Sequence, residues 1–379
     1  MSIETTTWCV SLSDIDLGRD EENAVLAVLR SKWLAMGERT EEFERRFAAH
    51  VGAKHGIALH SCTAALHLAL LAVGVGPGDE VIVPALTFVA TANAVLYCGA
   101  VPVFADVESE RSLLMSPEDV ERKITPRTRA VLPMHYAGYP CDMDRLGALA
   151  RAGALRVVED AAHAPGSRWR GRPVGSLSEA SCFSFFSNKN LVTGEGGMLT
   201  TDDDAIATQV RRGRSHGMTA VSYDKYKGHA FSYDVVQMGY NYRPTDMQSA
   251  LGLVQLDKLE ANNAKRRALV GAYRRRLAAV GGVLAPFEGR EAESSCHIFP
   301  ILLPLGTDRA EVQGSMKVRG IQTSIHYPPV HRFTSFSDRF RAQVPIVDRI
   351  AERLLTLPLH PLMGEREVAL VCDALEKAL

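Results

Sequence analysis

The 379-residue chain has no excess of charge of either sign: 43 lysines and arginines stand against 44 aspartates and glutamates. Nucleic acid and anionic membrane surfaces are therefore not indicated as partners. It has no long apolar run either. The longest, 64–75, is interrupted by His67 and is too short to span a bilayer. Seven cysteines, at positions 9, 62, 98, 141, 182, 296 and 372, are odd in number and never form CxxC. That spacing argues against a disulfide framework or a metal site, and for reduced thiols in a cytoplasm. The opening MSIETTTW has neither a basic nor an apolar stretch, so no export signal is expected. Repeats and low-complexity tracts are absent. So are the Walker pattern and GxGxxG, which leaves nucleotide-cradling loops without support.

What is present is alternation. Short apolar runs at Ile57–Leu59, Val81–Val83, Val101–Phe104, Ala130–Met134, Leu155–Val158, Ser181–Phe186 and Met198–Thr200 alternate with helical stretches near 63–73, 87–97, 117–123 and 143–152. Such a pattern predicts a mainly parallel seven-stranded sheet covered on both faces. Ser116-Pro117 and Asp142 read as helix N-termini. Upstream, two amphipathic helices, Asp20–Trp33 and Glu41–Ala49, flank the apolar turn Trp33–Gly37. Downstream come a helix at Asp202–Arg214, an exposed loop over 217–240, and a capping box, Thr245 to Gln248, opening a helix to about residue 280. Gly281-Gly282 breaks it. Cys296–Leu303 and Ile321–Tyr327 then read as strands, and Asp308–Arg319, Ile346–Leu355 and Glu365–Leu379 as helices. The expected class is α/β, with a large domain over 1–250 and a smaller α+β domain over 251–379.

The chemistry concentrates in residues 155–197. One apolar run ends in Asp160, with His163 three residues on; the next delivers Lys189 into the glycine-rich turn Thr193–Gly197. Ligands of open parallel sheets sit outside the carboxyl ends of the strands, so the acid and the lysine reach one crevice. Pyridoxal phosphate needs that pair: a lysine for its Schiff base and a carboxylate to keep its pyridine nitrogen protonated. The plainer reading makes Asp160 a helix cap and Lys189 a solvated surface residue. Ser61–Leu66 joins a strand to a helix, where small residues and free amides suit a phosphate, and Thr63 adds a hydroxyl. Phe88 sits in the next crossover and could stack on a pyridine ring or pack in the core. Ser184, five residues before Lys189, could also reach the phosphate.

Five ordered stretches, SCTAALHLAL (61–70), GDEVIVPALTFVATANAV (78–95), VEDAAHAPGSRWRGRPVGS (158–176), CFSFFSNKNLVTGEGG (182–197) and GYNYRPTDMQSALG (239–252), closely resemble the DegT/DnrJ/EryC1/StrS aminotransferases. The likeness continues through SIHYPPVH (324–331) and LPLHPLM (357–363). It implies a fold-type I, pyridoxal-phosphate-dependent enzyme that aminates keto groups on nucleotide-linked sugars. By motif, Lys189 is the cofactor lysine, Asp160 the pyridinium partner, and His163 a neighbour of the phenolic oxygen, where many relatives carry glutamine. Thr63, Ala64 and Ser184 match phosphate positions, and Phe88 the stacking aromatic. Asn241 or Arg243 reaches the neighbouring subunit's cofactor, which implies a homodimer with shared sites.

Cys62 stands where glycine is common. Relatives that replace the lysine with histidine dehydrate sugars; the retained Lys189 favours transamination. L-Glutamate is the expected donor and an NDP-4-keto-6-deoxyhexose the expected acceptor. Trp33, Gly37, His326, Tyr327 and the 217–243 loop are the expected sugar-nucleotide contacts. The alternatives are amination at C3 or of a keto-cyclitol, a sugar dehydratase, and a non-catalytic cofactor-binding regulator.

Overall fold

The computed structural model describes residues 8–220, 228 and 232–379. Its centre is a seven-stranded sheet of β1 (His55–Leu59), β2 (Glu80–Pro84), β3 (Val101–Ala105), β4 (Thr128–Val131), β5 (Arg156–Asp160), β6 (Ala180–Ser184) and β7 (Gly197–Thr201), in spatial order 1-7-6-5-4-2-3. Only β7 runs antiparallel to its neighbours. All five residues of β2, β6 and β7 are buried. That burial on both faces is why the strands read as unbroken apolar runs rather than alternating ones.

Helices α1 (Arg19–Ser31) and α2 (Glu38–Val51) precede the sheet, and α3 (Cys62–Ala72), α4 (Val89–Tyr97), α5 (Pro117–Lys123), α6 (Met143–Ala152) and α7 (Asp204–Gly213) follow its strands. The expected starts are real caps. Ser116 Oγ accepts the Asp119 amide at 3.2 Å, and Asp142 Oδ1 the Arg145 amide at 3.0 Å. Thr245 and Gln248 exchange reciprocal bonds at the head of α8 (Asp246–Leu277). This 32-residue helix is roughly 48 Å long at 1.5 Å per residue. Its first half packs on α1 and α2. Its second half supplies Leu269, Val270, Tyr273 and Leu277 to a separate core with Phe299, Ile301, Val368 and Val371. No described helix is long and apolar enough to cross a membrane.

The C-terminal region departs from expectation in two places. Ile346–Leu355 is not one helix: a helix covers Pro345–Ile350, and Leu354–Leu357 forms a strand, β9, antiparallel to β8 (Phe299–Leu302). Leu354 and Leu302 join the core under the large sheet, while Leu355, Leu357, Phe299 and Ile301 join the second core. Alternate side chains thus feed two cores, so the run is apolar throughout and its period of two is hidden. Ile321–Tyr327 is extended but enters pairing only through single bridges, Val10 to Ile321 and Ser324 to Thr356.

Candidate active site

The carboxyl ends of β1, β2, β5 and β6 open onto one cavity of about 400 Å³. Its lining includes Thr63, Phe88, Asp160, His163, Ser184, Lys189, His326 and Tyr327. Eight of the residues singled out from sequence therefore meet, from segments up to 264 positions apart. The plainer reading of a solvated Lys189 and a capping Asp160 gives way, because both side chains line this cavity and no helix starts at Ala161.

Asp160 ends β5 with its carboxylate buried. Thr91 Oγ1 donates to one oxygen at 2.7 Å and the Ala162 amide to the other at 3.1 Å. Burial raises its pKa; the Thr91 and Ala162 hydrogen bonds, and the charges of Lys189 and His135, hold it partly down. A cation in the cavity facing this carboxylate would stabilise the ionised form further.

Lys189 follows β6 in a turn where its amide donates to the Phe186 carbonyl at 2.9 Å. Burial lowers its amine from 10.5 to about 8, with Asp160 and Cys62 opposing the shift. An amine so placed is available unprotonated near neutral pH, the condition for attacking a carbonyl and for accepting a proton.

Elsewhere in the lining, the Ala137 amide donates to His163 Nδ1 at 3.2 Å. Nδ1 is therefore the bare nitrogen, and Nε2–H donates to Tyr327 Oη at 2.8 Å. Burial pushes His163 well below its ordinary value and the Tyr327 phenol above its own. Both stay neutral, and Tyr327 lines the cavity. The Tyr136 hydroxyl donates to the His326 carbonyl, and His326 Nδ1 lies 3.0 Å from Thr356 Oγ1. Phe88, just before α4, is half exposed, with its ring 5.6 Å from that of Tyr327.

An anion would find its place at the head of α3. Ser61 Oγ is used up as the N-cap, accepting the Ala64 amide at 3.2 Å, so Ala64 sits one step behind the lining. The Cys62 and Thr63 amides lie in the first turn, where a helix supplies no acceptor. Gly197 makes room here: a Cβ on it would collide with the Ser61 carbonyl and the Cys62 nitrogen. Helix amides, the Thr63 and Ser184 hydroxyls, a buried carboxylate and a buried lysine form a donor set that suits pyridoxal phosphate. Among the described residues no cluster of His, Cys, Asp and Glu could hold a metal ion.

Besides Ala64, four sequence candidates lie outside this cavity's lining. The Gly37 amide donates to Asp246 Oδ1 at 2.8 Å, tying the Trp33–Gly37 turn to the head of α8, and Trp33 lines a separate cavity there. Asn241 is exposed and bridges to Ser215. Arg243 Nη1 is buried without a hydrogen-bond partner among the described residues, and burial lowers its pKa. Of the 217–243 loop, residues 221–227 and 229–231 lie outside the described set, and none of its described residues lines this cavity.

Sequence reasoning missed Thr91, Asn190 and His297. Thr91 could have been found: it lies in the first turn of a helix that begins at the sheet's carboxyl edge. His297 had no such signal. It looked like part of a strand at Cys296–Leu303, but the strand begins at Phe299 and His297 runs beneath the cavity, 3.4 Å from Lys189 Nζ.

Known proteins resemble this chain along nearly its whole length. The model of the DegT/DnrJ/EryC1/StrS aminotransferase family matches residues 15–376. The chain is 40% identical over 366 residues to the spore coat polysaccharide biosynthesis protein SpsC of Bacillus subtilis, covering 94% of each chain. Helicobacter pylori PseC, an aminotransferase involved in the biosynthesis of pseudoaminic acid, superposes with a TM-score of 0.91 at 29% identity, over 97% of this chain and 98% of that one. The putative sugar aminotransferase Spr1654 of Streptococcus pneumoniae, solved in its PMP form, gives 0.89 at 30% identity over 97% and 98%.

Proposed function

The chain belongs to the DegT/DnrJ/EryC1/StrS aminotransferase family and is a pyridoxal-phosphate-dependent sugar aminotransferase; on that premise we propose that it moves an amino group from L-glutamate to a keto carbon of a nucleotide-linked sugar. The observation that carries this reading is the joint burial of Lys189 and Asp160 in one cavity, each charge felt by the other. An NDP-4-keto-6-deoxyhexose is the acceptor we favour, as the common substrate class of the resemblance. Amination at C3 or of a keto-cyclitol would use the same machinery.

Bound pyridoxal phosphate supplies an aldehyde carbon for the lysine and a pyridine ring that draws electrons from the substrate. Asp160 holds a proton at the ring nitrogen, and its bonds from Thr91 and Ala162 keep the carboxylate aimed. Thr63, Ser184 and the first amides of α3 would hold the phosphate, Phe88 would pack on the ring and His163 would serve the phenolic oxygen. Lys189, as a free amine, would take the proton from the donor's α-carbon and would return it at the cofactor's C4′. Its depressed pKa near 8 makes it a base at neutral pH. Tyr327 and His326 face the sugar.

The working unit we propose is a homodimer with shared sites, in the cytoplasm. Asn241 and Arg243 lie outside their own chain's cavity, Asn241 exposed and Arg243 half-buried, which leaves them free to serve a partner's. Retention of Lys189 speaks against the dehydratase, and an intact acid, lysine and anion set against a non-catalytic regulator.

The test is the absorption spectrum of the purified protein with pyridoxal phosphate, before and after L-glutamate in the absence of sugar. The visible band should give way to the pyridoxamine form's near-ultraviolet band. A bound cofactor that ignores glutamate would overturn the donor and favour the dehydratase reading. A protein that takes up no cofactor would sink the Lys189–Asp160 assignment.

A further inference from the structure

His297 arrives under the cavity from the segment just before β8, and it plays no part in the reading above. Its Nε2 lies 3.4 Å from Lys189 Nζ. Its Nδ1 lies 2.9 Å from Asn190 Oδ1. Which of these ring nitrogens carries the proton follows from the carboxamides behind it.

Asn263, on α8, donates through Nδ2 to the Pro165 carbonyl at 2.9 Å. A carbonyl only accepts, so the Asn263 oxygen must face the other way, toward Asn190. Asn190 Nδ2 donates to that oxygen at 2.7 Å and to the Ser295 carbonyl at 2.8 Å. Its own Oδ1 is therefore turned to His297. An oxygen that only accepts puts the proton on His297 Nδ1 and leaves Nε2 bare. The chain Pro165–Asn263–Asn190–His297 is anchored by main-chain carbonyls and is nine-tenths or more buried at each of its three side chains.

The surroundings keep that imidazole neutral. Burial pushes its pKa well below the ordinary value, and His163, Lys189, Arg266 and His326 all press in the same direction. The His163 ring lies 4.2 Å away, and Arg266 donates to the His297 carbonyl at 3.1 Å. Lys189 in turn feels Asp160 and the Cys62 thiol besides this ring. A bare nitrogen facing an amine leaves one arrangement: Lys189 donates and His297 accepts.

We propose that His297 is a positioning residue for Lys189, its bare Nε2 holding the free amine by one hydrogen bond in a tautomer dictated by Asn190 and Asn263. The proposal rests on Lys189 being the cofactor lysine. An amine that must leave and rejoin the same carbon each cycle benefits from one resting place. A neutral acceptor provides it without pinning the lysine as an ammonium, as a second carboxylate would. Asn190 directly follows Lys189, so one turn presents both the amine and the group that orients its acceptor.

Two measurements on the cofactor-free protein test this, so a failure to bind pyridoxal phosphate or to answer glutamate leaves them untouched. The first is 15N NMR of labelled histidines at pH 7. His297 should show a protonated Nδ1 and a bare Nε2; an Nε2–H tautomer or a cationic ring would overturn the proposal. The second is competitive acylation with acetic anhydride from pH 6 to 10, read at the Lys189 peptide by mass spectrometry. A hydrogen-bond acceptor favours the ammonium, so its loss lowers the amine's pKa. His297→Asn is too short to reach Nζ and should raise Lys189 acylation at pH 7 roughly fivefold, the result of a one-unit fall from about 8. His297→Gln, whose Oε1 can take the place of Nε2, should return the profile toward wild type. Identical profiles in all three proteins would overturn the assignment, and a purely structural role would produce that result.

Discussion

Two carboxylates stand side by side on β5, and their surroundings are opposite. Glu159 points into a closed network: Oε2 accepts from His135 Nε2 at 2.7 Å, and Oε1 from the Ser178 and Ser181 hydroxyls at 2.7 Å each. The Cys141 amide satisfies the other nitrogen of His135. Glu159 does not line the active-site cavity. Asp160, one residue on, faces the other side of the sheet with a single protein donor on each oxygen and the rest of its capacity open to the cavity. A buried charge that the protein fully satisfies belongs to the fold; one left partly open marks a place for a ligand. The same contrast separates Glu159 from Lys189, whose nearest hydrogen-bond partner is a neutral ring.

The contrast can be broken most severely at Lys189. Lys189→Ala should abolish glutamate-dependent turnover, measured by 2-oxoglutarate release; continued multiple turnover would remove the lysine from the mechanism. Asp160→Asn should lower kcat by roughly a hundredfold or more, within the range for a lost acid–base partner, while the melting temperature stays near wild type. Were the melting temperature to collapse instead, Asp160 would be the structural acid.

Glu159→Leu reverses those two readouts. It strands His135 and two seryl hydroxyls in the core and should cost about 3–5 kcal/mol in urea unfolding. The protein that remains folded should retain its kcat.

The next test is a pH dependence. The Lys189 amine titrates at about 8 when folded and 10.5 ordinarily, so between these values the unfolded chain holds more protons. Its burial therefore costs stability in full below pH 8, and the cost fades as pH rises toward 10.5. Cofactor-free Lys189→Met should be more stable than wild type by up to about 3 kcal/mol at pH 7, with the gap narrowing by pH 10. A gap independent of pH would show that the amine is not the cause. Ser178→Ala is the smallest change: it removes one of three donors to Glu159 and should cost about 1 kcal/mol with turnover unaltered.

Much of the fold was legible because its signals are local. A strand buried on both faces of a sheet is rich in apolar residues, and the seven apolar runs overlap the seven strands. The caps at Ser116, Asp142 and Thr245 depend on residues three positions apart. Boundaries were less legible. The apolar run reads as a strand through Phe186, yet β6 ends at Ser184: the Phe185 amide still reaches the Gly196 carbonyl in register, but the Phe185 carbonyl accepts from the Thr193 amide at 2.8 Å, where the chain turns away. Leu354–Leu357 was hidden because its two faces enter two different cores.

The site divides in the same way. Asp160, Lys189, Thr63, Ser184 and Phe88 announce themselves, since each ends or follows a strand at the carboxyl edge where ligands bind. The sequence by itself thus determined the class of chemistry: an acid, an amine and a helix head brought to one edge by the alternation of strands and helices. Only the tertiary structure decided how those groups are tuned. The Lys189 amine is lowered by burial, the Asp160 carboxylate is aimed by a hydroxyl 69 residues away, and the His297 tautomer is set by Asn190 and, behind it, Asn263 on another helix. Residue type and neighbours set what a side chain can do. Its charge and the position of its proton depend on solvent exclusion and on partners that meet only when distant segments pack together.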